Sequence, residues 1–270
     1  MKTILLFILA LLLPAIGLLA QSDLPKDKSK LQLYLLIGQS NMAGRGAIEE
    51  QDKLTDPKIF AYDKFGKWVT ATEPLHQDRD TNLGMGPGIN FARGLCKQDS
   101  KAIIGLIPCA VGGTSMSRWI KGGDLYERAV QRAKEAMQNG TLKGILWHQG
   151  ENETDDEARA KAYGTTLAQM IADLRADLNA PDVPFIAGQL GEFLYARKDN
   201  KFVFARVVNE GIATLPAKGL LIGVVSSQGL GHKGDDLHFD AAAQREMGKR
   251  YAAELVRLRK MQKASKNKKK

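Results

Sequence analysis

A hydroxyl becomes a strong nucleophile when an imidazole takes its proton and a carboxylate holds that imidazole from behind. The chain carries those groups in two distant segments, Ser40 within Gly38-Gln39-Ser40-Asn41-Met42-Ala43-Gly44 and Asp235 with His238 in Asp235-Asp236-Leu237-His238. The three-residue spacing lets Asp235 reach one ring nitrogen of His238 while the other faces Ser40; Asp236 points elsewhere. Around Ser40 the spacing is neither the G-x-S-x-G elbow, because Met42 replaces the second glycine, nor a phosphate loop, because Arg45 and Gly46 follow Gly44. Read alone, this segment also fits a Gly-rich turn whose serine caps a helix, and the D-x-x-H segment fits a solvent-facing turn.

Two further segments supply polar groups. In Trp147-His148-Gln149-Gly150-Glu151, Gln149 offers an amide N–H to a developing oxyanion, Glu151 is placed to hold a neighbouring loop, and His148 reads as a supporting residue. In Gly112-Gly113-Thr114-Ser115, paired glycines allow a backbone N–H to approach a ligand closely, and Arg118 and Trp119 after them would line a sugar-sized pocket.

Elements that position these segments follow from the hydrophobic pattern. The runs 31–37, 102–107, 144–147, 184–187 and 220–225 are short and apolar on both faces, as expected of strands covered by helices on both sides. Between them, 124–139 reads as a helix with Asp124 and Glu127 as a capping box and Gly140 as its stop. Helices are also expected over 155–178, 202–215 and 241–259, and one more ends near Cys96. Alternation of strand and helix predicts one α/β domain with a parallel sheet of about five strands. All four polar segments fall just after carboxyl ends of strands, where open α/β sheets bind ligands. Segment 45–87 breaks the rhythm; it holds an expected hairpin, 58–62 and 67–72, and otherwise reads as loop over one sheet edge.

Composition narrows the classes. Hydrophobic residues are 44% and charged residues 26% of 270, an ordinary globular balance. The formal charge of +9 suggests nucleic acid until it is located: Lys2 and the six lysines of 260–270 leave +2 on the rest, so no nucleic-acid partner is expected. Lys2, the apolar run 4–13, Pro14, Gly17 and Ala20 have the layout of a secretory signal over 1–20, giving a chain exported from near Gln21 with no stable membrane span. A polar leader (21–30) precedes the domain at 31–259, and the Lys-rich run 260–270 is expected to be a disordered tail. Cys96 and Cys109 are the two cysteines, and both are expected to be buried thiols.

Rival chemistries use the same residues. His232, Asp235 and His238 have a spacing that can hold zinc, but this leaves Ser40 and both glycine loops without a task, so neither metal nor cofactor is expected. Glu151 and Asp235 would be the acid pair of a glycoside hydrolase, with the same objection. A non-catalytic carbohydrate-binding module would keep Trp119 and Trp147 and need neither Ser40 nor His238.

Taken together, GQSNMAG (38–44), GGTS (112–115), WHQGE (147–151) and DDLHF (235–239) resemble the SGNH (GDSL-like) hydrolase superfamily, most closely its carbohydrate-esterase branch of acetylxylan esterases and sialate O-acetylesterases. The resemblance runs from Leu31 to about Tyr251. It implies a three-layer α/β/α flavodoxin-like fold and a serine esterase that removes acetyl groups from carbohydrate. Ser40 would be nucleophile, His238 base then acid, and Asp235 its orienting partner. The backbone N–H groups of Ser40 and Gly113 with the Gln149 side chain would form the oxyanion hole, and Gln39, Asn41, Gly112, Thr114, Arg118, Trp119, His148 and Glu151 would bind substrate or support the site. Gln149 stands where the wider superfamily has Asn, a change the carbohydrate-esterase branch shares.

Overall fold

The computed structural model describes residues 24–76 and 82–267; the expected signal at 1–20 and the last residues of the lysine run lie outside the described residues. In chain order the elements are β1 (Leu31–Gly38), the one-turn α1 (Ser40–Ala43), β2 (Ile59–Tyr62), β3 (Trp68–Thr70), α2 (Gly88–Gln98), β4 (Ile103–Pro108) and α3 (Asp124–Ala136). They continue with β5 (Thr141–His148), α4 (Glu157–Asp177), β6 (Phe185–Gly188), α5 (Ala205–Ala213), α6 (Leu215–Lys218), β7 (Ile222–Val225) and α7 (Ala241–Asn267). The sheet runs β3-β2-β4-β1-β5-β6-β7, parallel throughout except for the β2–β3 pair.

The middle strand shows why the apolar runs do not alternate with polar residues. Leu31, Leu33, Leu35 and Ile37 pack into one core with α3 and α4, whereas Tyr34 and Leu36 pack into the other with α2 and α7. Successive side chains point to opposite faces, and here both faces are covered. Each such leucine removed from water contributes about 1.5–3 kcal/mol before conformational entropy is set against it. The mostly parallel sheet between two helical layers is the three-layer α/β fold.

Four sequence expectations change. The sheet has seven strands rather than about five, because the 58–72 hairpin joins it: β2 pairs in parallel with β4 and carries β3 at the edge. Turn chemistry makes the hairpin legible, with the Asp63 side chain accepting from the Phe65 and Lys67 amides, but lateral pairing to a strand forty residues away is not a local property. At α3 the capping box is absent; Gly123 is the N-cap, Asp124 binds Arg118, and Glu127 accepts from the Gly122 amide. The helix expected over 202–215 is split into α5 and α6. The lysine run is not a disordered tail where described, since α7 continues to Asn267. Leu255 and Leu258 anchor that helix in the core, and lysine is a good helix former beyond them. Cys96 and Cys109 are both buried and free.

Candidate active site

β1 delivers the chain to the rim at Gly38, which pairs with His148 of β5. Gly38 has φ +129°, and a Cβ there would sit 2.1 Å from the His148 carbonyl oxygen, so the strands meet this closely only with glycine. Gln39 donates its amide to His148 O at 2.8 Å, and the chain turns at once into α1 with Ser40 at its first position. From the far end of the sequence, the 235–239 turn returns beside it. Ser40 Oγ lies 3.0 Å from His238 Nε2, and His238 Nδ1 lies 2.7 Å from Asp235 Oδ2. Asp235 Oδ1 accepts from the Leu237 and His238 amides at 3.0 and 2.8 Å, so one carboxylate shapes the turn and orients the ring it carries. Asp236 faces His232 instead, at 3.1 Å.

Electrostatics suit a proton relay. Burial drives the His238 pKa below the ordinary histidine value; Asp235 opposes this in part, and the charges of Lys233 and Arg45 reinforce it. Burial works upward on Asp235, but hydrogen bonds from the His238 amide and ring and the Leu237 amide outweigh it and hold the carboxyl at about 2. The carboxylate is therefore charged across the working range and the imidazole is neutral near neutrality, ready to accept a proton.

Beneath the rim, Asn41 ties the two segments together. Its Nδ2 donates to Glu151 Oε1 at 2.6 Å and to Leu237 O at 3.2 Å, and its Oδ1 accepts from the Phe239 amide at 3.1 Å, so it grips the chain on both sides of His238. Gln244 of α7 donates to Asn41 O at 3.1 Å. Burial raises Glu151 to about 7, against the lowering effect of its Asn41 hydrogen bond. His148 is buried under the site, its Nδ1 3.2 Å from the Tyr251 hydroxyl, and burial lowers its pKa to about 3. Gln39 is likewise buried at the turn.

The glycine loop reaches the same rim along β4, whose continuation bonds Val111 N to Gly38 O at 3.0 Å. Gly112 and Gly113 follow; Gly113 is exposed with φ +69°, and its carbonyl accepts from Asn152 Nδ2 at 3.0 Å. Two expectations for this region, the pocket-lining roles of Trp119 and Arg118, are corrected. Trp119 does not line a pocket: it is 1% exposed, stacks edge-on against Trp147, and donates to Thr114 Oγ1. Thr114, expected to bind substrate or support the site, is buried too and donates to Val111 O, the supporting arrangement of the two. Arg118 turns outward into a two-point ion pair with Asp124.

Gln149 is the third correction. Its side-chain nitrogen donates to Thr114 O at 3.1 Å and to the Glu153 carboxylate, while its Oε1 accepts from Tyr163. Both amide protons meet protein acceptors and the residue is wholly buried, so in this arrangement it braces the 112–116 loop instead of presenting an N–H at the surface. Glu153, which also accepts from the Met116 amide at 2.7 Å, and Tyr163 complete that brace, and sequence reasoning missed both. The signal for Glu153 was its place two residues past Glu151, in a segment already rich in buried polar groups; Tyr163 lies on an unremarked turn of α4. The rival acid and metal sets are not assembled: Glu151 is buried against Asn41, Asp235 is bound to His238, and His232 turns to Asp236. Among the described residues no three metal-ligating side chains form a group able to hold an ion.

Comparison with known proteins adds the chemistry's name. The family model described as "Carbohydrate esterase, sialic acid-specific acetylesterase" matches residues 30–257. The chain belongs to this carbohydrate esterase family. A probable carbohydrate esterase of Arabidopsis thaliana is 35% identical over 247 residues, covering 84% of this chain and 90% of that protein. The X-ray structure of that Arabidopsis protein superposes with a TM-score of 0.76 at 34% identity, covering 83% of this chain and 97% of that one. The crystal structure of NanS, at 18% identity, shares the fold with a TM-score of 0.69 over 87% of this chain and 99% of its own. Members of the family are carboxylic ester hydrolases that deacetylate carbohydrate, and this chain is one of them. No helix among the described residues is long and apolar enough to cross a membrane.

Proposed function

We propose that this carbohydrate esterase is an exported serine O-acetylesterase working through an acetyl-enzyme on Ser40. The observation that carries the mechanism is the series Ser40 Oγ, His238 Nε2, His238 Nδ1, Asp235 Oδ2, with separations of 3.0 and 2.7 Å at its two ends. His238 takes the Ser40 proton as Oγ attacks the acetyl carbonyl, and Asp235 steadies the imidazolium. The oxyanion is received by the Ser40 and Gly113 amides, with Gln149 holding the loop behind them; the Ser40 amide, at the first position of α1, has no carbonyl to bond within its helix. The imidazolium protonates the departing sugar oxygen, and water then releases acetate by the same relay in reverse.

Substrates consistent with this reading are acetylated xylan or a related glycan, or O-acetylated sialic acid. Export rests on the signal-like layout of 1–20, and a mature N-terminus near Gln21 in secreted material would establish it. The deciding experiment is acetate release from acetylated xylan, acetylated pectic fragments, O-acetylated sialic acid and an aryl acetate, with Ser40→Ala as control. The variant is expected to fold normally and lose about 10³-fold or more in turnover. Full activity in Ser40→Ala, or no acetate from any substrate with the parent, would reject the mechanism.

A further inference from the structure

Away from the rim, α2 and α7 pack so closely that a Cβ on Gly94 would sit 2.7 Å from the Ala252 Cβ and one on Gly248 2.6 Å from Pro87 O. Along the outside of this seam runs a groove of about 780 Å³ whose charged lining is Arg93 and Lys97 from α2, Arg245, Lys249 and Lys260 from α7, and a single acid, Glu246. An adjoining hollow of about 290 Å³ adds Arg259 and Lys263, with one further acid, Asp99. Arg245 is neutralised by Glu49 and Asp52, and Glu246 is shared by Lys249 and Arg250. Lys97, Lys260 and Lys263 make no ion pair among the described residues and are exposed. On α7 the groove-facing cations from Arg245 to Lys263 rise about 27 Å along one side of the helix. The rest of the chain is close to neutral, so this is a localised stripe of positive charge.

We propose that the α2–α7 groove is an accessory binding surface for one strand of acidic, carboxylate-bearing polysaccharide. The shape favours an extended chain over a flat anionic membrane, because the cations line a concavity. A single-stranded nucleic acid would want aromatic platforms for its bases, and no aromatic side chain lines the groove. A polyuronate instead offers evenly spaced carboxylates on a flexible chain, matching cations spaced along a helix. The upper end of the groove lies at Gln51 and Ala242, four residues beyond His238, so a strand held there is retained beside the esterase rim and its local concentration rises. The choice of a glycan rests on the carbohydrate chemistry of the family, but binding at the groove needs no catalytic turnover.

The test is affinity electrophoresis of the full chain in polygalacturonate, with neutral xylan, duplex DNA and phosphatidylglycerol vesicles as parallel arms. Polygalacturonate is expected to retard the protein, more weakly as salt rises, and neutral xylan is not. The combined variant Lys97→Glu/Lys260→Glu/Lys263→Glu is expected to bind about tenfold or more weakly. The neutral variant Lys97→Gln/Lys260→Gln/Lys263→Gln should lose part of the affinity and stands in if the first fails to fold. Lys266→Gln/Lys268→Gln/Lys269→Gln/Lys270→Gln should bind like the parent. No retardation, loss confined to the terminal variant, or equal groove-dependent binding of DNA or vesicles would overturn the proposal. Aryl acetate hydrolysis, read on the same samples, should be unchanged in every variant; its absence in the parent would reject the esterase mechanism without touching the binding result.

Discussion

His238 is held between opposed influences: burial and two nearby cations favour its neutral form, and Asp235 favours the charged one. Burial prevails, so the base form persists below the ordinary histidine pKa of about 6.5. The sign is then set: activity requires neutral imidazole, and kcat/KM should fall as pH drops through an apparent pKa lower than about 6.5. Asp235→Asn removes the opposing carboxylate, so that acid limb should move lower still while kcat drops by about 10³–10⁴. A pH–rate profile of both proteins checks the two effects together; an acid limb above 6.5 in the parent would contradict the account. The D-x-x-H spacing was readable because the turn is local, with the Asp235 carboxylate closing on amides two and three residues ahead.

At the level of elements, the site depends on two braces beneath its rim. Asn41 links α1 to the segment before α7, and its loss leaves the buried Phe239 amide without an acceptor, at about 1–3 kcal/mol. Asn41→Ala should therefore lower thermal stability and reduce kcat, by up to about 10²-fold if His238 shifts by an ångström. Its partner behaves differently. Glu151 is raised to about 7 by burial, so between its unfolded value near 4.3 and about 7 the unfolded chain loses the proton first and stability falls as pH rises. Glu151→Gln keeps an acceptor for Asn41 without that ionisation, and a melting series from pH 5 to 8 should be flatter than the parent's. The second brace joins Gln149, Glu153 and Tyr163 to the 112–116 loop. Gln149→Ala and Glu153→Ala should lose melting temperature and turnover in parallel. A Gln149→Ala protein with parental stability and a 10²–10³-fold lower kcat would instead return that amide to the oxyanion.

Across the molecule, the sheet and its two cores place these braces, and α7 closes the outer layer. Leu255 is wholly buried and Leu258 nearly so, so Leu255→Ala should cost about 2–5 kcal/mol in a denaturant titration. Lys260→Gln/Lys263→Gln, on the exposed side beyond them, should leave the midpoint where it is. Helical continuation past residue 259 was hidden in the sequence because a run of lysines reads equally as a solvated tail; what decides it is the anchored turn before it.

Much of the architecture was legible without coordinates. Apolar runs of strand length between amphipathic helices specify a covered parallel sheet through local periodicity alone, and four polar strings at strand exits mark its rim. Other features were settled by contacts between segments far apart in the chain. Trp119 is core and Arg118 is surface because of where α3 packs, and Gln149 is a brace because Glu153 and Thr114 O meet it. The hairpin became sheet because β4 offered it an edge. Backbone geometry and side-chain period act over a few residues and survive translation into sequence rules. Which buried donor finds which acceptor is settled only once the whole chain has closed around it.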